Sequence, residues 1–307
     1  MKLAIAQIAP RLLDRDATLA KVVASIADAG RAGCSVVAFG ESLVPGYPLW
    51  LCRTGGARFD DPDQKRLFAR YAAEAVSIEE GHLRPVCEAA ATAGVVVVLG
   101  IVERPADRGG HSLFCSRVVI GADGEVLSVH RKLVPTYEER LVWSAGDGAG
   151  LVTHRVEGFT LGALNCWENW MPLARAALHA AGEDLHVMLW PGSRELTSEI
   201  TRFAAREGRS YVVSAGALLR AADIPADMPL RDAMADAELL YDGGSCIAGP
   251  DGEWVVEPQC GSEELIVAEL DPARVFEERQ NFDPSGHYAR PDVLRLGVNR
   301  RRLSASE

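Results

Sequence analysis

The sequence has no apolar run near the roughly 20 residues needed to cross a bilayer, and the longest, Gly94 to Val102, suits a fully buried strand. No membrane partner is expected. Its first residues carry one positive charge and a short apolar stretch broken by Gln7 and closed by Pro10, too brief for the core of a signal peptide. They read as a first strand. Positive charge is also scarce: 32 Lys and Arg against 43 Asp and Glu leave a formal charge of −11, and the one basic run, Arg300 to Arg302, is short. A nucleic-acid partner, whose phosphates demand a basic face, is excluded. The seven cysteines contain no C-x-x-C pair and the seven histidines no H-E-x-x-H spacing. A disulfide framework, a zinc module and a catalytic metal are all unsupported, so no cofactor is expected and a reducing cytoplasm is the expected location. No Pro/Gly/Ser-rich linker divides the chain, which favours one large domain.

With 48% apolar and 24% charged residues over 307 positions, the composition is that of an ordinary globule. Strand Lys2 to Ile8 is followed by helical spacing from Asp16 to Ala32 and the apolar run Val36 to Phe39, a β-α-β opening. Helical patterns at Asp63 to Ser77 and Leu83 to Ala93 precede strand Val95 to Ile101. A hairpin then runs Leu113 to Ile120, turns at Asp123-Gly124 and returns as Val126 to His130. The second half repeats this order: a turn at Glu157-Gly158, strand Thr160 to Leu164, helix Pro172 to Ala181, strand Leu185 to Leu189, helix Glu195 to Arg206, strand Tyr211 to Ala217, and a hairpin turning at Pro250-Asp251-Gly252. The pattern predicts a layered α/β fold with mixed sheets. Ala221 to Glu238, with three prolines and no period, reads as a surface insertion.

Three polar residues lie just past the ends of apolar strands: Glu41 after Val36 to Phe39, Lys132 after Val126 to His130, and Cys166 after Thr160 to Leu164. Ligands of open α/β folds bind beyond the carboxyl ends of strands, so these groups can converge despite their separation in sequence. A lone cysteine is more often a small core residue, the reading given to the other six. Cys166 differs because it leaves a buried strand and enters Trp167-Glu168-Asn169-Trp170-Met171-Pro172. Pro172 suits a helix start, and a helix N-terminus there would favour the thiolate.

The segments Gly40-Glu41-Ser42-Leu43-Val44-Pro45-Gly46-Tyr47-Pro48, His130-Arg131-Lys132-Leu133-Val134-Pro135-Thr136 and Asn165-Cys166-Trp167-Glu168-Asn169 closely resemble the three catalytic blocks of the nitrilase (carbon-nitrogen hydrolase) superfamily. Glu139-Arg140-Leu141-Val142-Trp143 with Gly146-Asp147-Gly148, and Gly286 to Leu294, resemble the nitrilase branch proper more than its amidase and carbamoylase relatives. The chain departs from that pattern at Gly40, where proline is usual, and at Ser112-Leu113-Phe114-Cys115-Ser116, where many relatives have a Tyr-Asn pair.

The resemblance implies a four-layer α-β-β-α sandwich of two mixed sheets with internal pseudo-two-fold order, in one domain over 1–280 and a C-terminal tail over 281–307. It implies nitrile hydrolysis through a thioimidate and a thioester. Cys166 would be the nucleophile, Glu41 the general base, Lys132 the cation that stabilises developing negative charge, with the backbone N–H of Trp167 assisting, and Glu139 the residue that orients Lys132 or the substrate. Tyr47, Trp167 and Trp190 are the residues expected at the substrate, with Trp50, Trp143 and Trp170 also near the motif loops. The partner is then a small nitrile, with an amide or N-carbamoyl substrate or free cyanide as alternatives for the same site, and a non-catalytic binding protein as the alternative from another class. The apolar tail Phe282 to Leu303 and the resemblance together predict a homo-oligomer, a dimer or small multiple of dimers, with the tail at its interface.

Overall fold

Alternation along the first strand decides which surfaces meet. Leu3 and Ile5 bury toward a second sheet, whereas Ala4 and Ala6 bury under helices, as period-two geometry requires. The computed structural model describes residues 1–304. Its first sheet has strands β1 (Lys2–Gln7), β2 (Val36–Ala38) and β3 (Val96–Glu103) in parallel, then the antiparallel hairpin β4 (Phe114–Ile120) and β5 (Val126–Arg131). The second sheet is built alike. Strands β7 (Phe159–Asn165), β8 (Leu185–Trp190) and β9 (Tyr211–Gly216) are parallel, flanked by antiparallel β6 (His154–Val156), β10 (Leu218–Arg220), β11 (Leu239–Ala248) and β12 (Trp254–Cys260). Two sheets with the same parallel centre express the repeated order read from the sequence.

Helices cover both outer faces. On the first sheet lie α1 (Arg15–Arg31) and α4 (Arg84–Ala93), which comes after the short α2 (Trp50–Arg53) and α3 (Pro62–Glu74). The Asp14 side chain caps α1 by accepting from Ala17 N, and Leu19, Val22 and Ile26 form its buried stripe. On the second sheet lie α5 (Pro172–His179) and α6 (Arg194–Gly208), packing Ala177, Leu178, Ile200, Ala204 and Ala205 inward. Between the sheets, Leu3, Ile5, Val36, Ala38 and Val98 meet Phe159, Leu161, Val187, Leu189 and Val213. The architecture is the expected four-layer α-β-β-α sandwich.

Two segments differ from the sequence reading. Glu264 to Glu269 forms β13, which pairs antiparallel with β1 from Lys2↔Glu269 to Gln7↔Glu264; only an edge waiting on β1 makes so short a run a strand. The stretch expected as a surface insertion, 221–238, is anchored, because Ile224, Met228 and Met234 bury with Leu12, Trp50, Tyr71 and Leu219, and Arg231–Met234 forms α7. Beyond α8 (Ala273–Arg279) the tail leaves Tyr288, Val293, Leu294 and Leu296 exposed, then turns back on its own chain. There Val298 packs with Leu133 and Leu151, and Arg302 donates to Asp147 Oδ1 and to Val129 O.

Phe159 is buried between the sheets, edge-on to Tyr211 with ring centroids 5.8 Å apart. Phe159→Ala should cost about 3–5 kcal/mol of folding free energy, read as a lower denaturant midpoint; a variant as stable as the parent would contradict this packing of the inter-sheet core.

Candidate active site

Glu41 follows β2 on a tight crossing of the two sheets. Its N–H donates to Trp190 O, at the end of β8, over 3.0 Å. A Cβ at position 40 would lie 2.9 Å from both Trp190 O and Ala217 N, so the glycine found where relatives usually carry proline permits this approach. Lys132 follows β5, and its N–H donates to Cys115 O on β4 at 2.8 Å. Glu139 sits on a 3₁₀ turn, Tyr137–Leu141, where its carboxylate accepts from Thr136 N at 2.6 Å. Cys166 is the first residue beyond β7 and has φ of +46°, a left-handed backbone costing about 1–3 kcal/mol in a non-glycine residue.

These four side chains converge and are buried. Lys132 Nζ donates to Glu41 Oε1 at 2.8 Å and to Glu139 Oε2 at 2.7 Å. Cys166 Sγ and one carboxylate oxygen from each of Glu41 and Glu139 lie within 4.8 Å of one another. Among the described residues this is the cluster whose donor set could hold a metal ion, yet the Lys132 ammonium already supplies the cation between its carboxylates. Glu41 Oε2 has no hydrogen-bond partner, so one oxygen of the carboxylate is available to take a proton.

Charge and burial set the protonation states. Burial pushes the Glu41 carboxyl up, Lys132 pulls it back and Glu139 raises it again, leaving it at about 7. Burial opposes the Lys132 charge, but Glu41, Cys166 and Glu139 outweigh that and hold the ammonium well above its ordinary value. The Cys166 thiol is pushed well above its ordinary value by burial first and by the Glu41 charge second; Lys132 and the Trp167 N–H pull the other way without prevailing. This corrects the expected thiolate, since Cys166 opens a five-residue 3₁₀ turn, Cys166–Trp170, with little dipole to offer. The resting cysteine is therefore a thiol.

A third carboxylate, which the sequence reading left unassigned, joins the loops. Glu168 accepts from Leu133 N at 2.6 Å, from Asn165 N at 3.0 Å and from His130 Nε2 at 3.0 Å. Burial alone would raise its pKa, but His130 and the two backbone donors outweigh burial and keep it lowered. It therefore ties the residue after Lys132 to the residue before Cys166. Asn169 adds a clamp, donating to Cys166 O at 2.8 Å while its Oδ1 contacts His186 Nε2.

The aromatic residues divide. Tyr47 donates from its hydroxyl to Glu139 Oε1 at 2.9 Å and, with Glu41, Leu43, Pro191, Leu219 and Tyr241, lines a small cavity with room for about one water. Trp190 is core, its indole N–H on Ser214 Oγ, and serves the site through its carbonyl. Trp167 is 48% exposed beside Trp170; the group it directs at the thiol is its backbone N–H. Trp143 is buried with Lys132 Nζ 5.7 Å from its ring centre, and Trp50 packs against Tyr71.

A profile of carbon-nitrogen hydrolases matches residues 2–280. The chain belongs to the carbon-nitrogen hydrolase family. Among its relatives, a protein named nitrilase 2 from an unknown prokaryotic organism is 38% identical, over 97% of this chain and 92% of that one. An aliphatic nitrilase from Sinorhizobium fredii (strain HH103) is 34% identical over 98% and 96%. The solved carbon-nitrogen hydrolase from Helicobacter pylori G27 superposes with a TM-score of 0.72 at 19% identity, covering 95% of this chain and 96% of that one, a likeness of fold.

In this carbon-nitrogen hydrolase, alkylation of Cys166 should rise with ionisation of Glu41, so that iodoacetamide labelling has a midpoint near about 7, below the roughly 8.5 of a free thiol. Glu41→Gln should move the rise above pH 8.5, because the thiol must then ionise unaided. Coincident profiles would show that Glu41 does not serve the cysteine. Glu168→Ala, which frees two loops at once, should slow labelling of Cys166 by about 100-fold in a protein that still folds; unchanged labelling would show that Glu168 does not hold the site together.

Proposed function

We infer that this chain is a nitrilase, a hydrolase that converts an organic nitrile and two waters to the carboxylic acid and ammonia. The observation that carries the reading is the meeting of Cys166, Glu41, Lys132 and Glu139 in one buried site, in a chain whose nearly full-length relatives at 34–38% identity are named nitrilases.

Cys166 Sγ attacks the nitrile carbon as Glu41 Oε2 takes the thiol proton, and that proton passes to the nitrogen to give a thioimidate. Glu41 then deprotonates a water that adds to the same carbon. Glu41 returns the water's proton to the nitrogen, the new hydroxyl gives up its own by the same route, and the C–N bond breaks as ammonia leaves and a thioester remains. A second water, activated in the same way, cleaves the C–S bond to the acid and restores the thiol. Lys132 remains cationic throughout and, with the Trp167 N–H, stabilises the negative charge of each tetrahedral intermediate. Glu139 holds Lys132 in place, and Tyr47 holds Glu139.

Seven cysteines without a disulfide support the reducing cytoplasm as the location. For assembly, we propose a homodimer or small multiple of dimers. Trp167, Trp170, Leu173, Phe203 and Phe276 are exposed, and the tail adds Tyr288, Val293, Leu294 and Leu296, more apolar surface than an isolated protomer usually presents.

Cys166→Ala should abolish ammonia release from a panel of aliphatic, aromatic and arylacetic nitriles while leaving the thermal transition in place. Glu41→Gln and Lys132→Ala should each lower kcat by about 100- to 10,000-fold with smaller changes in KM. Faster ammonia release from amides or free cyanide than from every nitrile would overturn the substrate class. Light scattering at micromolar concentration should give at least twice the protomer mass; one protomer's mass at every concentration would refute assembly.

A further inference from the structure

Two thiols address the same base. Besides Cys166, the buried Cys115 on β4 places its Sγ 3.4 Å from Glu41 Oε1, and its carbonyl receives the Lys132 N–H. An ionised carboxylate only accepts, so the Cys115 S–H is the donor. Glu41 Oε1 thus receives both Lys132 Nζ and Cys115 Sγ, while Oε2 receives nothing. We propose that Cys115 is a positioning residue, whose thiol commits Oε1 of the base and leaves Oε2 as the oxygen that takes the proton of Cys166. The inference rests on the nitrilase reading above and on its assignment of Glu41 as base.

The chemistry separates the two thiols. Burial and the neighbouring Glu41 charge keep the Cys115 proton in place well above the ordinary thiol range, so it donates at every working pH and does not compete as a nucleophile. Cys166 meets the same carboxylate but has Lys132 and the Trp167 N–H to accept its developing charge. The other groups facing Glu41 are Glu139 and the hydroxyls of Tyr47 and Tyr71, both neutral at working pH.

A donor to the ionised carboxylate favours ionisation, and removing it raises the pH at which Glu41 becomes a base. Cys115→Ala, or Cys115→Val, which keeps the volume without a donor, should therefore shift the acid limb of kcat/KM upward by about half to one pH unit. The iodoacetamide profile of Cys166 should shift with it. Cys115→Ser, which restores a donor, should return both limbs to the parent position. A Cys115 that merely fills space would give a lower melting temperature with both limbs unmoved, and that outcome overturns the inference. So would an acyl adduct on Cys115 in the mass spectrum of protein quenched during turnover. If the parent hydrolyses no nitrile at any pH, the nitrilase reading fails instead, and the alkylation profiles still decide whether Cys115 assists Glu41.

Discussion

A single ammonium held between two carboxylates, away from water, is the constraint around which the site is organised. Lys132 reaches Glu41 and Glu139 at hydrogen-bond distance with all three side chains buried. Moving each of these ions out of water costs several kcal/mol, and only close pairing with complete hydrogen bonding offsets it. Two negative charges against one positive leave the cluster one proton short of neutrality. Burial first, and the surplus negative charge after it, raise Glu41 toward neutral pH and keep Cys166 a thiol. On the nitrilase mechanism proposed above, a carboxylate poised in this way can act first as acceptor and later as donor of the same proton.

Such a cluster requires its loops to arrive from both sheets at fixed distances. Glu41 and Lys132 come from the first sheet and Cys166 from the second. The joints are hydrogen bonds at the loop bases: Glu41 N to Trp190 O, Leu133 N and Asn165 N to Glu168, and Asn169 to Cys166 O. Each binds the backbone of a reacting residue or of its neighbour, so the geometry is held by groups that take no part in chemistry. The strained backbone at Cys166 persists because these bonds surround it.

The parts of this arrangement legible in the sequence share a reason. Glu41, Lys132 and Cys166 each end an apolar run, and strand ends are where an α/β fold gathers its polar groups. Alternating strands and helices likewise announce layered sheets. Glu139 was legible only through resemblance, because an acidic residue on a short turn otherwise looks like surface. Cys115 was hidden for a different reason: within Phe114-Cys115-Ser116 nothing local says which face it presents, and its place opposite Val102 in the β3–β4 register turns it toward Glu41. Glu168, between two tryptophans, gave no sign that three donors would converge on it. The thiolate expectation failed because it counted a helix terminus and not the burial that outweighs it.

The pairing of β1 with β13 bears on how the molecule is made. Lys2 lies opposite Glu269, so the sheet that carries Glu41 and Lys132 acquires its edge strand only after nearly the whole chain has been synthesised. During translation the outer edge of β1 is an unpaired strand flanked by apolar residues, the kind of surface that recruits other chains. Closure then depends on a contact of very long sequence separation, which slows folding. Emerging chains would spend that interval with this edge open, dependent on whatever shields nascent strands in the cell.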